Sequence, residues 1–187
     1  VELFTSEGCS SCPAADALLA RLVREPAVAD VEIIPLALHV DSRDHQGWKD
    51  PFALKAFTSR QQAYAKTLGA KAIYTPQMVI GGRDELDGSD EPAARRAIQA
   101  AASRPHLPLR IDARAAGASV RLSIDLPAAP TGADAEPVDA LVALTEDDLT
   151  SVVRRGENSG RTLTHIAVVR TLESLGSLER EAFVADG

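Results

Sequence analysis

Residues 1–26 read VELFTSEGCSSCPAADALLARLVREP, and this stretch decides the fold class. Val1–Phe4 is short and apolar, the pattern of a buried strand. Thr5-Ser6-Glu7-Gly8 is turn chemistry. From Cys9 onward the period becomes helical: Ala15, Leu18, Leu19 and Leu22 stand at i, i+3, i+4 and i+7 and share one face. Pro13 falls in the first turn, where its missing N–H is not needed. Pro26 ends the segment. Cys9 and Cys12 therefore lie at a strand–loop–helix junction, with Cys9 near the helix start.

These are the two cysteines of the chain, three positions apart. Two cysteines exclude a disulfide-rich scaffold and a four-cysteine zinc module. A C-x-x-C pair at a helix start instead suits redox chemistry. Free N–H groups and the positive end of the helix dipole favour a thiolate at Cys9. The spacing lets Cys12 reach back and attack a mixed disulfide on Cys9. Cys9 is thus the candidate nucleophile and Cys12 the resolving thiol. Ser10-Ser11 brings no cation, and the dipole contributes about 0.3–1 kcal/mol against about 1.36 kcal/mol per pKa unit. A moderately acidic Cys9 is expected, and Glu7 would oppose its thiolate if it pointed that way. The alternative is a static disulfide or two inert thiols. A disulfide closing so short a loop restrains the unfolded chain little, which makes it a poor staple.

The length of 187 residues gives a prior of one or two domains and is enough to bury a core without staples. Twenty basic against 27 acidic residues give a net charge of −7, which argues against a nucleic-acid-binding face. No apolar run approaches the roughly 18 residues a membrane helix needs, and Ile33–Val40 is the longest. There is no Gly-rich phosphate loop and no nucleophile elbow.

Val31–Val40 reads as a second buried strand in spite of Pro35. Asp41–Gly47 is polar loop. Asp50-Pro51 can open a short helix, and Thr58-x-x-Gln61 is a capping box for another, with Gly69 as its C-cap. Ile73–Ile80 is a strand interrupted by Pro76, Gly81-Gly82 a hairpin turn, and Arg83–Asp87 the returning strand. Ser89-Asp90 before Glu91-Pro92 announces a last helix, with Ala94, Ile98 and Ala101 on its buried face. The order β-α-β-α-β-β-α defines an α/β domain over residues 1–104. The texture changes at Arg104–Pro108, a domain boundary. Val120, Leu122, Ile124 and Leu126 alternate as in a half-buried antiparallel strand. Pro127–Pro137 is a loop. Val138–Leu144 and Leu163–Leu172 are further strands, and Gly156–Gly160 is a long turn after Val152-Val153. Residues 105–187 are therefore expected to form an all-β, sandwich-like C-terminal subdomain.

Thr75-Pro76 starts the strand after the second helical segment. A strand, Cys9-Ser10-Ser11-Cys12 at a helix start, and Thr-Pro before a hairpin and a closing helix together resemble the thioredoxin fold, here with an inserted helical segment. That resemblance implies a cis proline beside the thiols. It also implies that Thr75 and Pro76 offer backbone groups to a bound peptide and that the proline crowds the space a metal would fill. The likeness extends to family level. Glu2–Asp16, His39-Val40-Asp41, Gly47–Phe52, Tyr74–Met78, Gly156-Glu157-Asn158, Leu163-Thr164-His165 and Val168-Val169 resemble the bacterial family called domain of unknown function 1223, over nearly the whole chain. The resemblance implies a periplasmic or secreted protein with an added β subdomain. The chain opens inside a strand at Val1, and the sequence itself shows no secretory signal; the localisation is what the resemblance implies. Ser42, Arg43 and His45 stand where that family is expected to carry aromatics.

The expected function is thiol–disulfide exchange on an extracytoplasmic partner, with protein thiols or disulfides as partners and no cofactor or resident metal. Trp48 is a candidate for lining a substrate groove or for packing the inserted helix on the sheet. His39 and Asp41 end a strand, where α/β sheets face their ligand crevice. His39 could serve as a base or metal ligand near Cys9, but a hydrogen bond within the loop is the preferred role. His165 reads as a satisfied strand residue, and Arg95-Arg96 and Arg154-Arg155 as solvated faces. Two rivals stand beside this reading. One is a copper-binding module using Cys9, Cys12 and His39. The other is a non-catalytic binding module whose β unit is the partner surface.

Overall fold

The computed structural model describes residues 1–25, 31–106, 108–117, 119–125 and 138–178. The expectations for Pro26, Leu126 and the Pro127–Pro137 loop lie outside these residues. The protein is a mixed α/β structure built on a mixed sheet of order β4-β3-β1-β2-β10-β7. β1 (Glu2–Thr5) lies inside it. It runs parallel to β2 (Leu36–His39), with Leu3 opposite Ala37, and antiparallel to β3 (Gln77–Ile80), with Leu3 opposite Met78. β3 turns through Gly81-Gly82 and pairs antiparallel with β4 (Asp84–Asp87).

Leu3 and Phe4 point to opposite faces, as successive strand residues must. On the Leu3 face, α1 (Cys12–Arg24) and α3 (Glu91–Ala102) bury Ala15, Leu18, Leu19 and Leu22 with Ala94 and Ile98 in one cluster with Met78 and Ile80. This is the helical stripe the sequence spacing predicts. Asp90 caps α3 by accepting the Ala93 N–H at 2.9 Å, also as predicted. Phe4 meets the Tyr64 ring edge-on at 6.0 Å, on α2 (Lys55–Leu68). Gly69 ends α2 in the left-handed conformation at φ 66°.

Several local expectations are corrected. Only Leu36–His39 of Val31–Val40 is strand, because ladder pairing to β1 begins at Leu36, after Pro35. Asp41–Gln46 is not plain loop but a 3₁₀ helix closed by Gly47. Asp50-Pro51 opens no helix; residues 51–52 form a turn in which the Asp50 carboxylate accepts the Phe52 N–H. Thr58 and Gln61 form no capping box, because α2 already starts at Lys55 after Leu54. The Thr58 hydroxyl donates to Asp41, and the Gln61 amide donates to the Tyr74 carbonyl at 2.8 Å and to Gln77 Oε1 at 3.0 Å.

The described chain divides into two compact units. The first joins Val1–Arg104 to Leu144–Arg170, and the second joins Pro105–Ala143 to Thr171–Gly187. In the second, β5 (Arg110–Ala116) and β6 (Ser119–Asp125) pair antiparallel along their whole length. β7 (Val138–Glu146) and β10 (Val168–Leu178) are the last two strands of the mixed sheet. β8 (Leu149–Val152) pairs antiparallel with β9 (Thr162–His165) across the Gly156–Gly160 turn. The expected strand Leu163–Leu172 is thus two strands, divided at Ile166-Ala167, where Ala167 takes φ 49°. No helix among the described residues is long and apolar enough to cross a membrane.

Candidate functional site

The cysteines are free, in a tight turn that connects β1 to α1. Cys9 N–H donates to the Ser6 carbonyl and Cys12 N–H to the Cys9 carbonyl, both at 3.2 Å. Cys12 is the first residue of α1, and Cys9 precedes the helix. Cys12 has no exposed surface, whereas Cys9 keeps 5%. Both are buried, and Cys9 alone keeps some exposed surface. Its sulfur lies 3.3 Å from Ser11 Oγ and 3.6 Å from the Thr75 carbonyl oxygen, and the Thr75–Pro76 peptide bond is cis.

The two thiols differ in acidity. A hydrogen bond from Cys12 is the largest influence on Cys9 and overcomes the opposing effect of burial; with further donors at Ser11 and Thr75, it lowers the Cys9 pKa to about 5. That is further than a helix dipole alone would carry it. Burial, first of all, pushes the Cys12 thiol up, and its bond to Cys9 and the nearby charge of Asp16 add to the rise. Cys12 and Asp16 stand four residues apart on α1, on one helix face.

Glu7 is buried, and three donors hold its carboxylate. Trp48 Nε1 donates to it at 2.7 Å and Ser151 Oγ at 3.1 Å, and His165 Nε2 lies 3.1 Å away. Trp48 thus serves Glu7. His165 is also within 3.5 Å of Asp16 Oδ2, whose other oxygen accepts from Thr5 Oγ1 at 2.8 Å. Burial works against a charged His165 ring, but Asp16 and Glu7 outweigh it and raise its pKa to about 9. His39, fully buried, meets Asp50 at 2.7 Å, and Asp50 also accepts the Glu7 N–H at 2.8 Å. Burial raises the Asp50 pKa, but His39 prevails and holds the carboxyl below its usual value. The His39 and His165 rings meet edge-on at 4.7 Å. Asp41 is bound to Thr58 at the start of the 3₁₀ helix.

The cysteine turn is held from far along the chain. Asn158, buried, donates through Nδ2 to the Glu7 carbonyl at 2.8 Å and to the Cys9 carbonyl at 2.9 Å. Glu157 accepts the Ser10 N–H at 2.9 Å. Gly156, at φ 77°, packs so closely that an added Cβ would lie 3.1 Å from the Gln46 carbonyl and 3.2 Å from Trp48. Ser151, Asn158 and Glu157 are site residues the sequence reading missed. The signal available was the Gly-Glu-Asn turn itself. On the other side, Arg43 Nε donates to Thr75 Oγ1 at 2.9 Å. Among the described residues, no group of three or more His, Cys, Asp or Glu side chains is arranged to hold a metal ion.

The fold and site define a mixed α/β protein with two free, unequal thiols at a strand–helix junction. The chain belongs to the family described as protein of unknown function DUF1223, whose model matches residues 1–185. Among solved structures it is similar to an Agrobacterium tumefaciens protein determined as a structural-genomics target. The two are 29% identical with a TM-score of 0.74, over 95% of this chain and 72% of that one. No curated protein matches the chain.

Proposed function

We propose that this protein is a thiol–disulfide oxidoreductase of thioredoxin-like fold, acting on disulfides of periplasmic or secreted proteins. One observation carries the reading: of two free neighbouring thiols, the more exposed is strongly acidified and the buried one is not, beside Thr75 and the cis Pro76. The β-α-β-α-β-β-α order of residues 1–104 supports the thioredoxin-like assignment.

Cys9 is the nucleophile and a thiolate at neutral pH. It attacks one sulfur of a substrate disulfide. The substrate S–S bond breaks, a Cys9–substrate disulfide forms, and the other substrate sulfur leaves as thiolate and takes a proton from water. Cys12 then loses its proton to water and attacks the Cys9 sulfur. The Cys9–Cys12 disulfide forms and the second substrate sulfur leaves. Two electrons pass from the cysteine pair to the substrate, and the oxidised pair runs the same steps in reverse. Thr75 and Pro76 shape the contact surface.

Stopped-flow exchange with a model peptide disulfide tests the reading. Reduced wild type is expected to consume the disulfide stoichiometrically and Cys9→Ser to be inert. A wild type that neither reduces nor oxidises the peptide would overturn it.

A further inference from the structure

A groove of about 320 Å³ opens at Thr75, the residue whose carbonyl touches the Cys9 sulfur. Its lining is mostly polar: Ser42 and Gln62 supply a hydroxyl and an amide, Thr58 and Gln61 are engaged with Asp41, Tyr74 and Gln77, and Ile73 is its aliphatic member. Among the described residues, Arg43 is the charged side chain that lines it, and no carboxylate does. Two carboxylates outside the lining make hydrogen bonds of their own. Asp41 is bound to Thr58, and Glu157, whose charge Arg43 influences, accepts from Ser10.

The guanidinium is fixed in place. Arg43 Nε donates to Thr75 Oγ1 at 2.9 Å. With the Gln46 amide turned to satisfy both its ends, Gln46 Oε1 accepts from Arg43 Nη1 at 3.1 Å. Two of the five guanidinium N–H groups are thereby used, and three on Nη1 and Nη2 remain for a carboxylate. A lining with a cation, a hydroxyl and an amide, and no carboxylate favours a polar, negatively charged ligand.

The geometry points to this groove as the specificity subsite of the thiol pair, binding an acidic segment beside the substrate's disulfide, with Arg43 recognising its carboxylate. The assignment rests on the oxidoreductase reading. The net charge of −7 opposes acidic partners at long range. At physiological salt that repulsion is screened beyond roughly 8 Å, while a guanidinium–carboxylate contact in the groove is not.

The test uses three disulfide peptides that differ at one position two residues from the cysteine: Glu, Gln or Lys. In single-turnover reduction, the reduced wild type is expected to favour Glu over Gln by about fivefold in second-order rate constant, as a single partly exposed charge pair allows, and to reduce Lys more slowly still. Arg43→Gln is expected to abolish the order and Arg43→Lys to keep part of it. Arg43 also supports Thr75, so a loss shared by all three peptides is discounted and only their ratios are read. A Cys9→Ser/Cys12→Ser double variant, titrated calorimetrically with the reduced peptides, is expected to rank them the same way. Equal turnover of the three by wild type, or an order that survives Arg43→Gln, overturns the groove assignment and leaves the redox reading intact. No turnover of any peptide with the ranked binding retained overturns the redox reading and leaves the groove.

Discussion

Cys9 and Cys12 share one turn yet differ in acidity because one donates and the other receives. Each electrostatic contribution reads out separately. The iodoacetamide alkylation rate of Cys9 is expected to rise with pH through a midpoint of about 5. Cys12→Ala removes the strongest donor, and a hydrogen bond to a charged group is worth about 1.5–3 kcal/mol, so the midpoint moves up by about one to two units. A midpoint unmoved by Cys12→Ala would contradict the assignment. His165 gives a second test. Its pKa is raised on folding from 6.5 to about 9, so its stabilisation is complete below about pH 6.5 and is lost as pH rises through about 9. The lowered Cys9 thiol works the opposite way, adding stability as pH rises from about 5 toward 9. The difference between wild type and His165→Gln isolates the histidine. By urea denaturation it is expected to be about 3 kcal/mol near pH 6, because the variant leaves buried Glu7 short of a charged partner, and to shrink toward pH 9. A difference that stays constant over that range refutes a charged His165.

At the scale of elements, what is local was legible. The β1–α1 junction follows from an apolar strand, a turn and a stripe at i, i+3, i+4 and i+7, all within 22 residues of sequence. Asp90 and Gly69 act as the caps their chemistry announces. The misread elements are those where tertiary partners overrule local chemistry. Thr58 and Gln61 have capping spacing, but their side chains are taken by Asp41, Tyr74 and Gln77. The return of Leu144–Arg170 to the first unit was not legible, because its signals have no period. Ser151, Asn158 and His165 reach Glu7 and Cys9 across 144 to 158 residues of chain. The element they build, the β8–β9 pair with its turn, is expected to hold the cysteine loop in place. Asn158→Ala leaves the buried Glu7 carbonyl without its donor, at a cost of about 1–3 kcal/mol if unrelaxed, and leaves the Cys9 carbonyl with the Cys12 N–H. Guanidinium chloride unfolding should show a loss of about 1–3 kcal/mol, with faster hydrogen exchange at Ser10 and Cys9. A variant as stable as wild type would show that the turn does not depend on Asn158.

For the whole molecule, family membership over residues 1–185 and a solved relative with a TM-score of 0.74 anchor the fold, and the chemistry rests on the site. The first unit is discontinuous in sequence, and its thiol site draws on both segments: Cys9, Cys12 and the groove from Val1–Arg104, and the clamp on the cysteine turn from Leu144–Arg170. Capture of the covalent intermediate tests the central claim most directly. Cys12→Ser protein, incubated with a disulfide-bearing peptide and examined by intact mass and peptide mapping, is predicted to accumulate one peptide per chain, linked through Cys9 and released by dithiothreitol. Cys9→Ser under the same conditions is predicted to accumulate none. A Cys12→Ser protein that forms no adduct at Cys9, while its thiol remains free and reactive to iodoacetamide, would contradict the account.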